Sequence, residues 1–258
     1  VKIRSFITAS PGNILIQSDL SQAESWVVAY CARELNMKQS LQFSDIHYDT
    51  AVVFYDRPRE SISKLERYTA KRCNHAFAYR MTAPRFMQVY NKDAVDMGIT
   101  QMAIKTANMF RDMWLKRYDL QSWWAEIEET LSVTRTITTP YGRVRTFFAQ
   151  WGTELFKEAT AHIPQSTVAD HFGGMVQDQL GIEGGLKCIW RDWHDKCMII
   201  NQSHDSCIVD IHPSMRDDYI ESAIKYLKRP LVINGETFTI PVSVEIGTRW
   251  GELEEIKI

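Results

Sequence analysis

Two aspartates and one basic helix are the places where this sequence could do chemistry. Asp19, in DLSQAE, follows a short apolar run, Asn13 to Gln17, that comes after Pro11-Gly12 and reads as a strand. Asp205, in SHDS, lies in a tight polar loop, Asn201 to Ser206, between two strand-like runs, Lys196 to Ile200 and Cys207 to Ile211. Either aspartate alone is an ordinary turn or cap residue. On adjacent strands of one sheet the two carboxylates could hold divalent cations, and two metals about 3.5–4 Å apart commonly drive phosphoryl transfer without a protein nucleophile. Magnesium suits such a site, because it takes few protein carboxylates and keeps waters and substrate phosphates as its other ligands.

The cations lie elsewhere. The formal net charge is -2, yet between Arg57 and Lys92 there are nine basic residues against two acidic ones, Glu60 and Glu66. A block of this kind is usually a solvated helix face. Here Arg67, Lys71, His75 and Tyr79 recur every four residues, which on a helix places them along one face about 18 Å long. The cations at one end can grip the phosphates of a nucleoside triphosphate, and Tyr79 at the other can contact a base or sugar.

The elements that must position these groups follow from pattern. A helix is expected over Gln22–Leu35, a short one over His47–Phe54 capped by Ser44 or Asp45, and the basic helix over Ser61–Tyr90. Amphipathic helices follow over Ile99–Tyr118 and Leu120–Leu131, then a hairpin over Thr136–Phe148 around Pro140, Tyr141 and Gly142. Further helices are expected over Gln165–Leu180 and Met215–Leu227, and the end, FTIPVSVEIGTRW, is strand-like with a turn at Gly247. Strands from the two ends of the chain would form one antiparallel sheet, with the helical middle inserted as a separate lobe, an α+β architecture.

Composition limits the alternatives. With 258 residues, 45% of them hydrophobic, the chain can bury a sizeable core, and no apolar run approaches the roughly 20 residues of a bilayer span. The five cysteines, Cys31, Cys73, Cys188, Cys197 and Cys207, form no CxxC pair and are expected to be reduced thiols. Cys197, His204, Cys207 and His212 are close in sequence but lack the paired spacing of a zinc site. A cytoplasmic place is expected, without a membrane partner. The chain begins with valine in a strand pattern and reads as a fragment, a processed product or half of a split protein.

The motifs are similar to those of family A DNA polymerases. DLSQAE (Asp19 to Glu24) resembles motif A, the run Arg67, Lys71, His75, Tyr79 resembles motif B, and QSHDS (Gln202 to Ser206) resembles motif C. They occur in the family's order, and DIHYDTA (Asp45 to Ala51), TPYGRVR (Thr139 to Arg145), PQSTVAD (Pro164 to Asp170) and PVSVEIGTRW (Pro241 to Trp250) add secondary matches. The resemblance implies a right-hand polymerase core with an antiparallel palm over residues 1–44 and 136–258 and inserted helical fingers over 45–135, the thumb being absent.

By the same resemblance, Asp19 and Asp205 bind two catalytic Mg2+ ions, and His47, Arg67 and Lys71 contact the incoming dNTP, Lys71 also assisting proton transfer to pyrophosphate. His75 and Tyr79 line the nucleotide pocket, Glu24 blocks a ribose 2′-hydroxyl, and Gln165, Gln202 and His204 lie along primer-template DNA. The implied partners are primer-template DNA, dNTPs and a separate upstream polymerase fragment carrying the thumb and an exonuclease.

Four departures mark a divergent, phage-like member: His75 for an aromatic Phe or Tyr, Arg80 for glycine, Leu20 for tyrosine and Ser206 for an acidic residue. The competing readings are a single-subunit phage-type RNA polymerase, which Glu24 argues against, and an inactive DNA-binding subunit, which the joint presence of Asp19, Asp205, Arg67 and Lys71 argues against.

Overall fold

The computed structural model describes residues 3–174 and 180–257 of the chain. The chain divides into two compact units, each assembled from separate stretches. Unit 1 comprises Val1–Glu24, Thr139–Arg143 and Gln165–Ile258, and unit 2 comprises Ser25–Thr138 and Val144–Pro164. These compact units cut the chain at other points than the segments 1–44, 45–135 and 136–258, because residues 25–44 are helical and group with the helical middle.

Unit 1 is built on a five-stranded antiparallel sheet in the order β4-β5-β1-β8-β9, formed by β1 (Ile14–Leu20), β4 (Cys197–Ser203), β5 (Ser206–Ile211), β8 (Val242–Gly247) and β9 (Glu254–Ile256). The expectation that strands from both chain ends share one sheet is met, with β1 in the middle. Leu15, Ile16, Ile208, Val209 and Val244 are buried within it, and since consecutive residues on a strand point to opposite faces, both faces of the sheet are covered around β1 and β5. Helices α9 (Leu186–Trp193) and α10 (Arg216–Leu227) pack together, and α10 also contacts β8.

Unit 1 also contains the TPYGR loop. Arg143 makes a forked ion pair with the buried carboxylate of Asp170, and Tyr141 donates to Nδ1 of the buried His171, whose Nε2 faces the Leu227 carbonyl. The motifs TPYGRVR and PQSTVAD therefore meet through Arg143 and Asp170. A hairpin of β6 (Pro230–Ile233) and β7 (Glu236–Thr239) turns at Asn234-Gly235, both at positive φ, an element whose Asn-Gly signal was present in the sequence but not read.

Unit 2 is helical, with a small hairpin of β2 (Thr136–Thr138) and β3 (Val144–Thr146) where one was expected. Its aromatic core joins α3 (Ile46–Tyr55), α4 (Lys64–Ala78), α5 (Ala83–Met97) and α6 (Ile104–Arg117). Phe54 stacks on Phe110 at 4.5 Å, and Phe77 meets Phe86 at 5.0 Å and Trp114 at 6.0 Å. Each such ring contributes about 2–3 kcal/mol on burial. Helix α7 (Gln121–Thr134) completes the expected helical middle.

The helix expected over Ile99–Tyr118 starts only at Ile104, as α6, and three other expected helices have other bounds. Gln22–Leu35 is two helices, α1 (Ala23–Cys31) and α2 (Leu35–Phe43), because Arg33 is left-handed at φ 56° and Glu34 starts the next helix by accepting from Met37 N. Ser61–Tyr90 is also two, α4 and α5. Arg80 at φ 62° ends the first, and Pro84, which has no N–H to give, fits only the first turn of the second. The helix expected over Gln165–Leu180 belongs to α8 (Thr153–Gly173), which starts earlier, and its expected last turns at 175–179 lie outside the described residues. The polar loop expected over Asn201–Ser206 is shorter, only His204 and Asp205 being outside β4 and β5.

Helix α4 opens on a capping box in which Ser63 Oγ accepts from Glu66 N and the Glu66 carboxylate accepts from Ser63 N. Ser63→Ala should lower unfolding free energy by about 1 kcal/mol, read by denaturant titration. An unchanged midpoint would mean that the cap adds nothing to α4.

Candidate active site

The sheet of unit 1 brings the two aspartates together. Asp19 is in register with Ser206, and Leu20 N donates to the Asp205 carbonyl at 3.0 Å, so the two aspartates occupy neighbouring places at one end of the β1/β5 pair. Opposed residues on antiparallel strands are about 4.5–5.5 Å apart between Cα atoms, which applies to Asp19 and Ser206, and Asp205 is the next residue along the chain from Ser206. Asp205 belongs to a two-residue turn with His204, which is left-handed at φ 52°, a conformation histidine enters more readily than most residues.

Beside this turn is a cleft of about 360 Å3 lined by Glu24, Gln165, Val168, Ala169, His204 and Asp205. It unites three stretches that are distant in sequence. Glu24 comes from the first turn of α1, Gln165 from α8, and His204 and Asp205 from the β4–β5 turn. Asp19 is half-buried on the adjoining strand, and Gln202 is exposed near the end of β4, in register with Cys207.

Among the described residues no group of three or more His, Cys, Asp or Glu side chains is arranged to hold a metal ion. Two carboxylates suit a hard cation that draws its remaining ligands from water and substrate phosphates, and do not suit a closed four-ligand site. The zinc quartet considered from sequence is not assembled: Cys197 opens β4, opposite Ile211, whereas His204 is past the other end of that strand.

The cations are in unit 2. Arg67, Lys71 and His75 lie on α4, and Tyr79 is the residue that ends it. Arg67 reaches Asp45 at 2.6 Å through Nη2 and at 3.2 Å through Nε, and its guanidinium lies 5.2 Å from the centre of the Tyr48 ring. Asp45 has a second task, its other oxygen accepting from His47 N and Tyr48 N to cap α3. Burial alone would raise the Asp45 carboxyl, but the hydrogen bonds from Arg67 and from the Tyr48 backbone, with the Arg67 charge, together outweigh it and hold the group below its ordinary value. Lys71 is exposed one turn further on.

His47 is buried, its ring 5.9 Å from that of His75. Burial depresses its pKa to about 3, helped by His75, Arg67 and Lys71 and opposed by Asp45. His75 is depressed to about 4 by burial, then by Lys71 and Arg72. Both rings are therefore neutral at pH 7, and His47 can offer a phosphate an N–H but not a positive charge. Arg80 adopts the backbone conformation that glycine takes at no cost, and is held by an ion pair to Glu128 and by contact with Trp124 at 5.4 Å and Phe156 at 5.2 Å.

Sequence reasoning missed Asn74, which is buried on α4 between Cys73 and His75 and bonded to Trp114, Thr50 and His47. Its signal was an amide on the face that carries Ala70, Cys73 and Phe77. The Asp45–Arg67 and Arg143–Asp170 pairs had no sequence signal beyond lying within conspicuous motifs.

Comparison with known proteins bears on the whole chain. A family model described as DNA polymerase family A matches residues 1–252. DNA polymerase I of Pseudomonas aeruginosa is 25% identical over 97% of this chain and 26% of its own length. Thermostable DNA polymerase I of Thermus filiformis is 25% identical over 95% of the chain and 28% of its own length, and that of Thermus aquaticus is 35% identical over 34% and 11%. The chain thus spans about a quarter of the two relatives that match nearly all of it. Among solved structures, the POL domain of Pol1 from M. smegmatis in complex with DNA primer-template and dNTP has the same fold, with a TM-score of 0.74 and 17% identity over 96% of this chain and 42% of that one.

The depressed histidines fix a sign for pH dependence. The unfolded chain takes up a proton at His47 near its ordinary value of 6.5, whereas the folded chain does so only near 3. Stability is therefore full above pH 6.5 and falls as pH drops from 6.5 towards 3, at up to about 1.4 kcal/mol per pH unit for this group. Thermal melting between pH 7 and 4.5 should show the loss, and His47→Gln should flatten it. An equal slope in the variant would remove His47 as the cause.

Proposed function

Because the chain belongs to DNA polymerase family A, we propose that it carries the nucleotidyl-transfer centre of template-directed DNA synthesis, joining a dNTP to the 3′-hydroxyl of a primer. The single observation that supports this most is the register of β1 against β5, which puts Asp19 and Asp205 at one sheet end beside a cleft lined by Glu24 and Gln165.

In this reading Asp19 and Asp205 hold two Mg2+ ions. When bound, these ions would polarise the reacting phosphate and the primer hydroxyl and offset the triphosphate charge. The primer oxygen bonds to the α-phosphorus as the bond to pyrophosphate breaks, and the hydroxyl proton passes to water. Lys71, exposed on α4, meets the triphosphate as a point charge and gives a proton to the departing pyrophosphate. Arg67 exchanges its Asp45 partner for phosphate oxygens, the same forked geometry serving both.

His47 donates a neutral hydrogen bond to the triphosphate. His75 and Tyr79 face the sugar and the new base pair, and His75 fills less of that place than a larger aromatic ring. Glu24, half-buried in the cleft, occupies the space that a 2′-hydroxyl would need. Gln165, Gln202 and His204 contact primer-template DNA as polar groups along the duplex. The proposed setting is the cytoplasm of a bacterium or a phage-infected cell, where template and dNTPs meet. No helix among the described residues is long and apolar enough to cross a membrane.

Primer extension with Mg2+ is the direct test, with dNTPs and ribonucleotides compared. Template-directed extension with dNTPs is expected, and Asp205→Asn should slow it by about a hundredfold or more. Folded, DNA-binding protein without turnover would favour an inactive subunit instead. Glu24→Ala should raise ribonucleotide use by about tenfold or more relative to dNTPs, measured as the ratio of kcat/KM values. Equal use of both sugars by the unaltered chain would reverse the choice of substrate.

A further inference from the structure

The buried polar cluster beneath α4 has a direction. The indole N–H of Trp114 can only donate, and it meets Asn74 Oδ1 at 2.8 Å. That fixes which end of the Asn74 amide is oxygen. The other end, Nδ2, lies 3.4 Å from the Ile46 carbonyl and 2.9 Å from His47 Nδ1, and as an amide nitrogen it donates to both. Thr50 Oγ1 stands 3.1 Å from Asn74 Oδ1 and 2.9 Å from the Tyr118 hydroxyl. Every member of this cluster is at least 95% buried, Trp114 and Tyr118 completely, so no water competes for these bonds.

His47 Nδ1 must therefore accept a hydrogen bond, and a neutral ring whose Nδ1 accepts carries its proton on Nε2. We propose that Asn74, oriented by Trp114, is a positioning residue that fixes His47 as the Nε2–H tautomer, so that the ring presents an N–H donor to the nucleotide phosphates. This rests on the reading of His47 as a triphosphate contact. Phosphate oxygens only accept, so the other tautomer would turn a lone pair towards them and repel. The groups around the ring are Asp45, His75, Arg67 and Lys71, and their combined effect with burial leaves His47 neutral at pH 7.

Two measurements on the chain test this. In long-range 15N–1H histidine spectra, with the His47 signals assigned by their loss in His47→Gln, the Nε2–H pattern should dominate at pH 7. Trp114→Phe keeps a ring in the core but frees the Asn74 amide to turn, and should shift His47 measurably towards Nδ1–H. A dominant Nδ1–H form in the unaltered chain overturns the proposal without reference to any activity.

The second measurement is equilibrium dATP binding with Mg2+ and primer-template. Asn74→Ala should weaken it by about tenfold in the unaltered background, and by less than about twofold when His47 is already Gln, whose amide donates whatever the neighbour does. Equal losses in both backgrounds would make Asn74 merely structural. If the tautomer is as expected but His47→Ala binds dATP as tightly as the unaltered chain, it is the phosphate-contact reading that fails.

Discussion

The antiparallel register of β1 on β5 is the constraint from which the candidate site follows. Asp19 and Asp205 come from opposite ends of the chain, and only this pairing makes them neighbours. The register is held by the apolar side chains of both strands, Leu15 and Ile16 against Ile208 and Val209, and by the Leu20 N–H on the Asp205 carbonyl. β8 closes the other edge of β1, placing Ser243 beside Asp19. The carboxylates thus need no bonds of their own to find each other, because the hydrophobic registration of the sheet does it for them.

Unit 2 solves a different problem, how to hold cations near apolar packing without losing them to it. Phe77, Cys73 and Ala70 bury one face of α4, which fixes the rotation of the helix and so the direction of Arg67 and Lys71. Arg67 is kept in place by Asp45, while the histidines nearest the core give up their charge to burial. The result is a graded face, with charge at the open end and neutral donors at the buried end.

Much of this was legible in the sequence, for identifiable reasons. Alternation and turn residues located β1 and β5 to within a few residues, and their partnership followed from the strands at the two chain ends that flank the helical middle. The four-residue spacing from Arg67 to Tyr79 survived intact on α4 and the residue that caps its end. What failed was continuity. Nothing in the local pattern at Arg33 or Arg80 announces a left-handed residue, since neither is Gly or Asn, and the ion-pair partners of both, Glu126 for Arg33 and Glu128 for Arg80, are distant in sequence. Asp45 was legible as a helix cap, but its pairing with Arg67 and the contacts of Asn74 were hidden, as hydrogen bonds between helices leave no period in the chain.

The central claim is that Asp19 and Asp205 act as one metal-holding pair, and binding of Mn2+ as a paramagnetic substitute for Mg2+ tests it most directly. Titration of Mn2+ in the presence of a dNTP, followed by electron paramagnetic resonance, would compare the unaltered chain with Asp19→Asn, Asp205→Asn and the double variant. A shared site predicts that either substitution weakens dNTP-dependent Mn2+ binding severely and that the double variant is little worse than the singles. Losses that simply add, or single variants that bind Mn2+ as the unaltered chain does, would contradict it.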